Sequence, residues 1–194
     1  MKAVEGFYMR MISIIILLSL AVGSAYAEKA TFAAGCFWGV QEFFRNVPGV
    51  TKTQVGYSGG TMVNPSYHQV SSGTTGHAET VEIEFDPKKV SYEQLLVLFF
   101  KMHDPTTLNQ QGNDRGTQYR SAIFVNSDKQ KQVAEALKAK VEKSQAWHAP
   151  VMTEITRATK FYPAEAEHQN YLQINKGGYD NHHLRDLSFD TPAK

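Results

Sequence analysis

The chain has 194 residues, 20 Lys and Arg against 19 Asp and Glu, and a single cysteine. Near-balanced charge without a basic cluster excludes an electrostatic nucleic-acid binder, and one cysteine excludes a disulfide scaffold, so ordinary burial must hold the fold. The length suits one domain with a sizeable core.

Lys2 and Arg10 flank a weakly basic start, Met11 to Val22 is a charge-free and mostly apolar run, and Ala25-Tyr26-Ala27 puts small residues where a signal peptidase reads. The run is shorter than the roughly 20 residues a membrane span needs, which disfavours the alternative of a retained anchor. A lipidated Cys36 fails on distance, because Glu28 and Lys29 separate it from the apolar run. Residues 1–27 are therefore expected to be a signal peptide cleaved near Ala27, with residues 28–194 a single domain exported to the periplasm or secreted.

Lys29 to Ala34 is expected to be a strand, Cys36 to Arg45 a helix with Val40 and Phe44 on one face, and Thr51 to Tyr57 a second strand. From Ser58 to Gly76 the chain is rich in Gly, Ser, Thr and Pro and has no periodicity, which marks either a functional loop or a flexible surface connection. Val81, Ile83 and Phe85 alternate with Glu82 and Glu84 as in a half-buried strand. Ser91 with Gln94 forms a capping box that opens a helix ending before Pro105, and Ser127 with Gln130 repeats the device. Tyr119 to Val125 is expected to be a strand, Val133, Leu137 and Val141 line one side of the helix after Ser127, and a last strand falls near Val151 to Ala158. The order strand, helix, strand, strand, helix, strand predicts an α+β fold with a two-layer ferredoxin-like core, long loops and a C-terminal extension.

Cys36 follows Gly35 between a strand end and a helix start, where unpaired backbone N–H groups and the helix dipole favour a thiolate. Position alone leaves two alternatives open, an activated nucleophile or a small buried hydrophobe. Glu79 shares a face with Val81, Ile83 and Phe85, so its carboxyl points toward the apolar layer; burial there raises its pKa and makes it a general acid, unless it bends out at the strand edge. Tyr119 counts onto the face of Ser121, Ile123 and Val125, where a phenol needs a partner, structural or substrate. Glu165 and His168 stand three apart on an expected helix as in metal sites, but a solvated helix face is the expectation; His182-His183 is expected to be a frayed polar terminus. His77 and His103 are expected to be structural. No metal site is expected.

The blocks Gly35-Cys36-Phe37-Trp38-Gly39, Tyr57-Ser58-Gly59-Gly60, Asn64-Pro65-Ser66-Tyr67, Gly76-His77-Ala78-Glu79, His103-Asp104-Pro105-Thr106 and Gln111 to Ile123 resemble the A-type peptide methionine sulfoxide reductases across nearly the whole mature chain. The resemblance implies a peptide-methionine (S)-S-oxide reductase that repairs oxidised methionine. Cys36 would attack the sulfoxide sulfur while Glu79 protonates its oxygen, leaving a sulfenic acid on Cys36. Tyr67 and Tyr119 would hold the sulfoxide oxygen, Asp114 would lie near the substrate backbone, and Phe37 and Trp38 would enclose the methyl group and select the epimer. Where the family often has a resolving cysteine, this chain has Ser71 and Gly178-Tyr179-Asp180. An external thiol, thioredoxin-like or small, is thus the expected reductant, with no cofactor. Substrates would be oxidised proteins, peptides and free methionine sulfoxide, and the protein a monomer. A cysteine hydrolase pairing Cys36 with His77 or His103, and a noncatalytic module binding methionine-bearing peptides, are the rival functions.

Overall fold

The computed structural model describes residues 27–190; apart from Ala27, the expected signal peptide lies outside them. Successive elements are β1 (Glu28–Ala34), α1 (Phe37–Arg45), β2 (Val50–Ser58), α2 (Tyr67–Ser71), β3 (Ala78–Phe85), α3 (Tyr92–Met102), β4 (Gln110–Gln111), β5 (Asp114–Arg115), β6 (Ser121–Val125), α4 (Asp128–Ser144), β7 (Glu154–Arg157), β8 (Tyr162–Pro163) and α5 (Tyr171–Ile174).

One sheet runs β7-β6-β1-β3-β2-β8, and its central four strands have the antiparallel β6-β1-β3-β2 order of the expected ferredoxin-like core. Beside it, β7 adds in parallel to β6, β8 pairs with β2, and β4 and β5 form a separate hairpin. The apolar phase of each strand decides which face the helices cover. Phe32 packs its ring 5.4 Å from Phe44 of α1 and 5.1 Å from Phe99 of α3, welding β1 to both helices. Truncating such a fully buried ring costs about 3–5 kcal/mol.

The caps explain where the helices begin. Ser91 and Gln94 form the full reciprocal box at α3. At α4 only half forms: Ser127 accepts the Gln130 amide, while the Gln130 side chain accepts from Asn126 N and donates to the Lys29 carbonyl at 2.7 Å. The segment from Ser58 to Gly76 is not devoid of regular structure, because Ser66 and Gln69 form another full box that opens α2. Tyr119 is not on a strand. It ends a 3-10 turn, Thr117–Tyr119, so counting by twos from Ile123 misplaces it, and β6 begins at Ser121. The strand expected near Val151 to Ala158 is shorter, Glu154–Arg157, and is not the last, because β8 follows it.

Among the described residues the C-terminal extension, to Asp190, is not frayed. His183 N donates to the Met102 carbonyl and Arg185 N to that of Lys101, at 3.3 and 3.1 Å, and Phe189 is buried, so the tail runs as a strap along α3.

Candidate active site

Cys36 stands immediately before α1 and makes no side-chain hydrogen bond that caps the helix, while the neighbouring amides of Trp38 and Gly39 favour its ionised form. Gly35 makes this turn possible: its φ is +93°, and a Cβ there would sit 2.6 Å from Gln111 Cβ. The thiol is 8% exposed. Burial, then the neighbouring Glu79 charge, push it up from the ordinary thiol range, and the two amides oppose this without overcoming it. Desolvation thus works against the thiolate that the start of α1 favours.

Glu79 is 1% exposed on the helix-covered face of β3, as its phase predicts. Its Oε2 accepts the amide of Phe37, the residue after Cys36, at 3.0 Å. Burial pushes the carboxyl up to about 8, against the Phe37 bond and with help from Asp114. Sulfur and carboxyl thus meet at the first turn of α1, whose Phe37 amide binds the carboxyl one residue after Cys36.

Tyr67 opens α2, and its ring stacks on those of Phe37, Trp38 and His168 at 6.2, 6.5 and 4.1 Å. Burial and then Glu79 raise its phenol. Tyr119 is half-buried, and its phenol is raised by burial and then by Glu79, Tyr67, Asp114 and Cys36, so the 3-10 turn still delivers it to the same site. Asp114, on β5, accepts the Tyr179 hydroxyl and the Asn181 side-chain amide, each at 3.2 Å. All seven residues expected from sequence are therefore brought to one region.

Several others join them. The Trp38 indole donates to His168 Nδ1 at 3.3 Å and stacks on Tyr171 with centroids 3.8 Å apart. Glu165 precedes a 3-10 turn, Ala166–His168, and is no solvated helix face: Oε1 accepts the Tyr67 amide at 2.8 Å and Oε2 the Tyr57 hydroxyl at 3.0 Å. Burial raises its pKa, but those donors together with its own amide hold the carboxyl below the usual range. Spacing alone suggests metal or solvent for Glu165 and His168; only the closure of β8 onto β2 reveals the aromatic neighbours. His182 is also inside, with its ring hydrogen-bonded to the Ala34 carbonyl at 2.7 Å and to Asp180 at 3.1 Å. Among the described residues no cluster of three or more His, Cys, Asp or Glu is arranged to hold a metal.

His77 and His103 are structural, as expected. His77 accepts from Gly60 N at 3.2 Å and donates to the Met62 carbonyl at 2.8 Å. His103 donates to the Phe99 carbonyl and meets the Ser121 hydroxyl, at 2.7 and 2.8 Å. With both nitrogens of each ring committed, neither serves Cys36 as a base, and the hydrolase alternative loses its second residue.

A family model described as peptide methionine sulfoxide reductase matches residues 28–191. The chain is 52% identical over 158 residues to peptide methionine sulfoxide reductase MsrA 1 of Nostoc sp., covering 80% of this chain and 97% of that one. It is 55% identical over 154 residues to the MsrA of Methanosarcina mazei, covering 79% and 72%. Its fold is similar to methionine sulfoxide reductase A of Corynebacterium diphtheriae, with a TM-score of 0.72 at 36% identity over 88% of this chain and 85% of that one. It is similar too to the reduced form of Mxr1 from Saccharomyces cerevisiae, with a TM-score of 0.74 at 35% identity over 84% and 94%.

Proposed function

The chain belongs to the peptide methionine sulfoxide reductase family, as an A-type, peptide-methionine (S)-S-oxide reductase, and from that premise we propose that Cys36 is its nucleophile and Glu79 its acid. The observation that carries this assignment is at the first turn of α1, where the Phe37 amide, one residue after Cys36, binds the buried Glu79 carboxyl at 3.0 Å.

Burial favours the protonated form of both groups, so Glu79 has a proton to give and Cys36 sheds its own as it attacks. Substrate places its sulfoxide oxygen against Glu79, Tyr67 and Tyr119, where negative charge on oxygen develops as the S–O bond weakens. Cys36 sulfur bonds to the substrate sulfur. The proton from Glu79 and the one shed by Cys36 turn the departing oxygen into water. A water then adds to the Cys36 sulfur, the sulfur–sulfur bond breaks, the thioether leaves, and the surplus proton returns to Glu79. Methionine sulfur gains two electrons and Cys36 loses two, becoming a sulfenic acid.

Phe37 and Trp38 form an apolar wall suited to the terminal methyl group. The opposite epimer would exchange methyl and oxygen, setting a polar oxygen against aromatic carbon without a donor. Asp114, half-buried on β5, would offer an acceptor to a peptide N–H of the substrate.

With one cysteine in the chain, the sulfenic acid is resolved from outside. A thiol, borne by a thioredoxin-like protein or a small molecule, attacks Cys36 with loss of water, and a second thiol releases the mixed disulfide. We assign residues 1–27 to export, with their removal read by the N-terminal sequence of the mature protein.

Cys36→Ser assayed against an epimer pair of methionine sulfoxide tests the assignment. The parent reduces the S epimer alone and the variant reduces neither; residual turnover by the variant would contradict it.

A further inference from the structure

Tyr67 stands on a long connection between β2 and β3, and the contacts that fix its ring come from far along the chain. Its amide is the first of α2, and the capping box does not serve it, since the Ser66 hydroxyl accepts from Gln69 N. Glu165 takes that amide at 2.8 Å, from 98 positions away. The same carboxylate accepts the hydroxyl of Tyr57, which is fully buried on β2 and is the cross-strand partner of Glu79. One carboxylate thus ties the segment bearing Tyr67 to the strand beside Glu79.

The platform under Glu165 is rigid. Ala164 N donates to the Val55 carbonyl at 3.0 Å, the Gln169 side chain bridges Val55 N and O at 3.0 and 2.9 Å, and the Gln41 side chain accepts Asn170 N at 2.7 Å. Residues 164–170 are therefore held to β2 and α1 on both sides of Glu165. A carboxylate so held, accepting two donors on separate oxygens, defines position better than the stacking of Tyr67 alone.

Resting on the assignment of Tyr67 to the sulfoxide oxygen, we infer that Glu165 is a positioning residue for the reaction: it sets the Tyr67 phenol in register with Glu79. Its carboxylate touches neither substrate nor Cys36, and acts through Tyr67.

Glu165→Ala removes both anchors, and a misplaced phenol costs charge stabilisation only as the S–O bond weakens. Its kcat falls about ten- to a hundredfold while KM stays within about twofold, and Glu165→Gln, which keeps one acceptor for the Tyr67 amide, recovers most of the loss. In a Tyr67→Phe background the loss from Glu165→Ala shrinks to less than about threefold, since the group it positions is gone. An undiminished loss in that background, or a loss in KM alone, overturns the inference and leaves Tyr67 untouched. Tyr67→Phe with unaltered kcat would instead sink the assignment of Tyr67 and the inference with it. Should Glu165→Ala not fold, Tyr57→Phe reads the same link: kcat falls a few-fold in the parent and not in the Tyr67→Phe background, and an equal loss in both overturns it.

Discussion

The Trp38 indole donates to Nδ1 of His168, and because indole nitrogen is a donor only, that imidazole nitrogen is bare and the ring carries its proton on Nε2. Nitrogen-15 spectra of the folded protein should show that tautomer. His168→Phe keeps a ring stacked on Tyr67 but strands the indole N–H. The lost bond is worth about 1 kcal/mol, so KM for the sulfoxide rises roughly fivefold. An unchanged KM would mean that Trp38 is not part of the methyl wall.

Glu79 acts as an acid only while protonated, and burial pushes its pKa up to about 8. Turnover per encounter, kcat/KM, should therefore hold below pH 8 and fall as pH rises through it. Glu79→Gln keeps an acceptor for Phe37 N but has no proton to give, and its kcat should drop by about 10²–10⁴-fold. A variant retaining a tenth of parental kcat would contradict the role.

The same shift makes a stability statement. The folded carboxyl holds its proton to about 8 and the unfolded one releases it near 4.5, so the folded state binds more protons between these values. Stability should fall as pH rises across that window and level off above it. Urea melts at pH 5 and pH 8.5 should show the parent losing a few kcal/mol relative to Glu79→Gln. Parallel melts for the two proteins would contradict this.

His103 works in the opposite direction. Complete burial lowers its pKa to about 3 from the usual 6.5, the Phe99 carbonyl opposing and His182 and Arg185 assisting. The unfolded state then binds more protons between those values, and stability present above pH 6.5 is lost as pH falls toward 3. His103→Gln, which retains a donor and an acceptor, should start less stable at pH 7 by about 1–3 kcal/mol and show a shallower acid slope. Equal acid slopes would place the titration elsewhere.

Local rules are legible wherever one face of one element decides the outcome. The alternation through Val81, Ile83 and Phe85 places Glu79 inward, and the Ser91 and Gln94 pair marks the start of α3, because both depend on neighbours in sequence. Tyr119 escapes the same logic, since a 3-10 turn breaks the period just before Ser121. The charge state of Cys36 is illegible for a different reason. The dipole of α1 follows from the sequence, whereas the burial that works against it is a tertiary property. Glu165, His168 and His182 meet the site only after chain reversals of more than 90 residues, and the i, i+3 spacing of the first two says nothing about what closes over them.

The most direct test reacts the reduced protein with one equivalent of the S sulfoxide, without any thiol, in the presence of dimedone, followed by peptide mass spectrometry. The account predicts one equivalent of thioether and a single dimedone adduct on Cys36. Thioether formed in full while Cys36 remains a free thiol would contradict it.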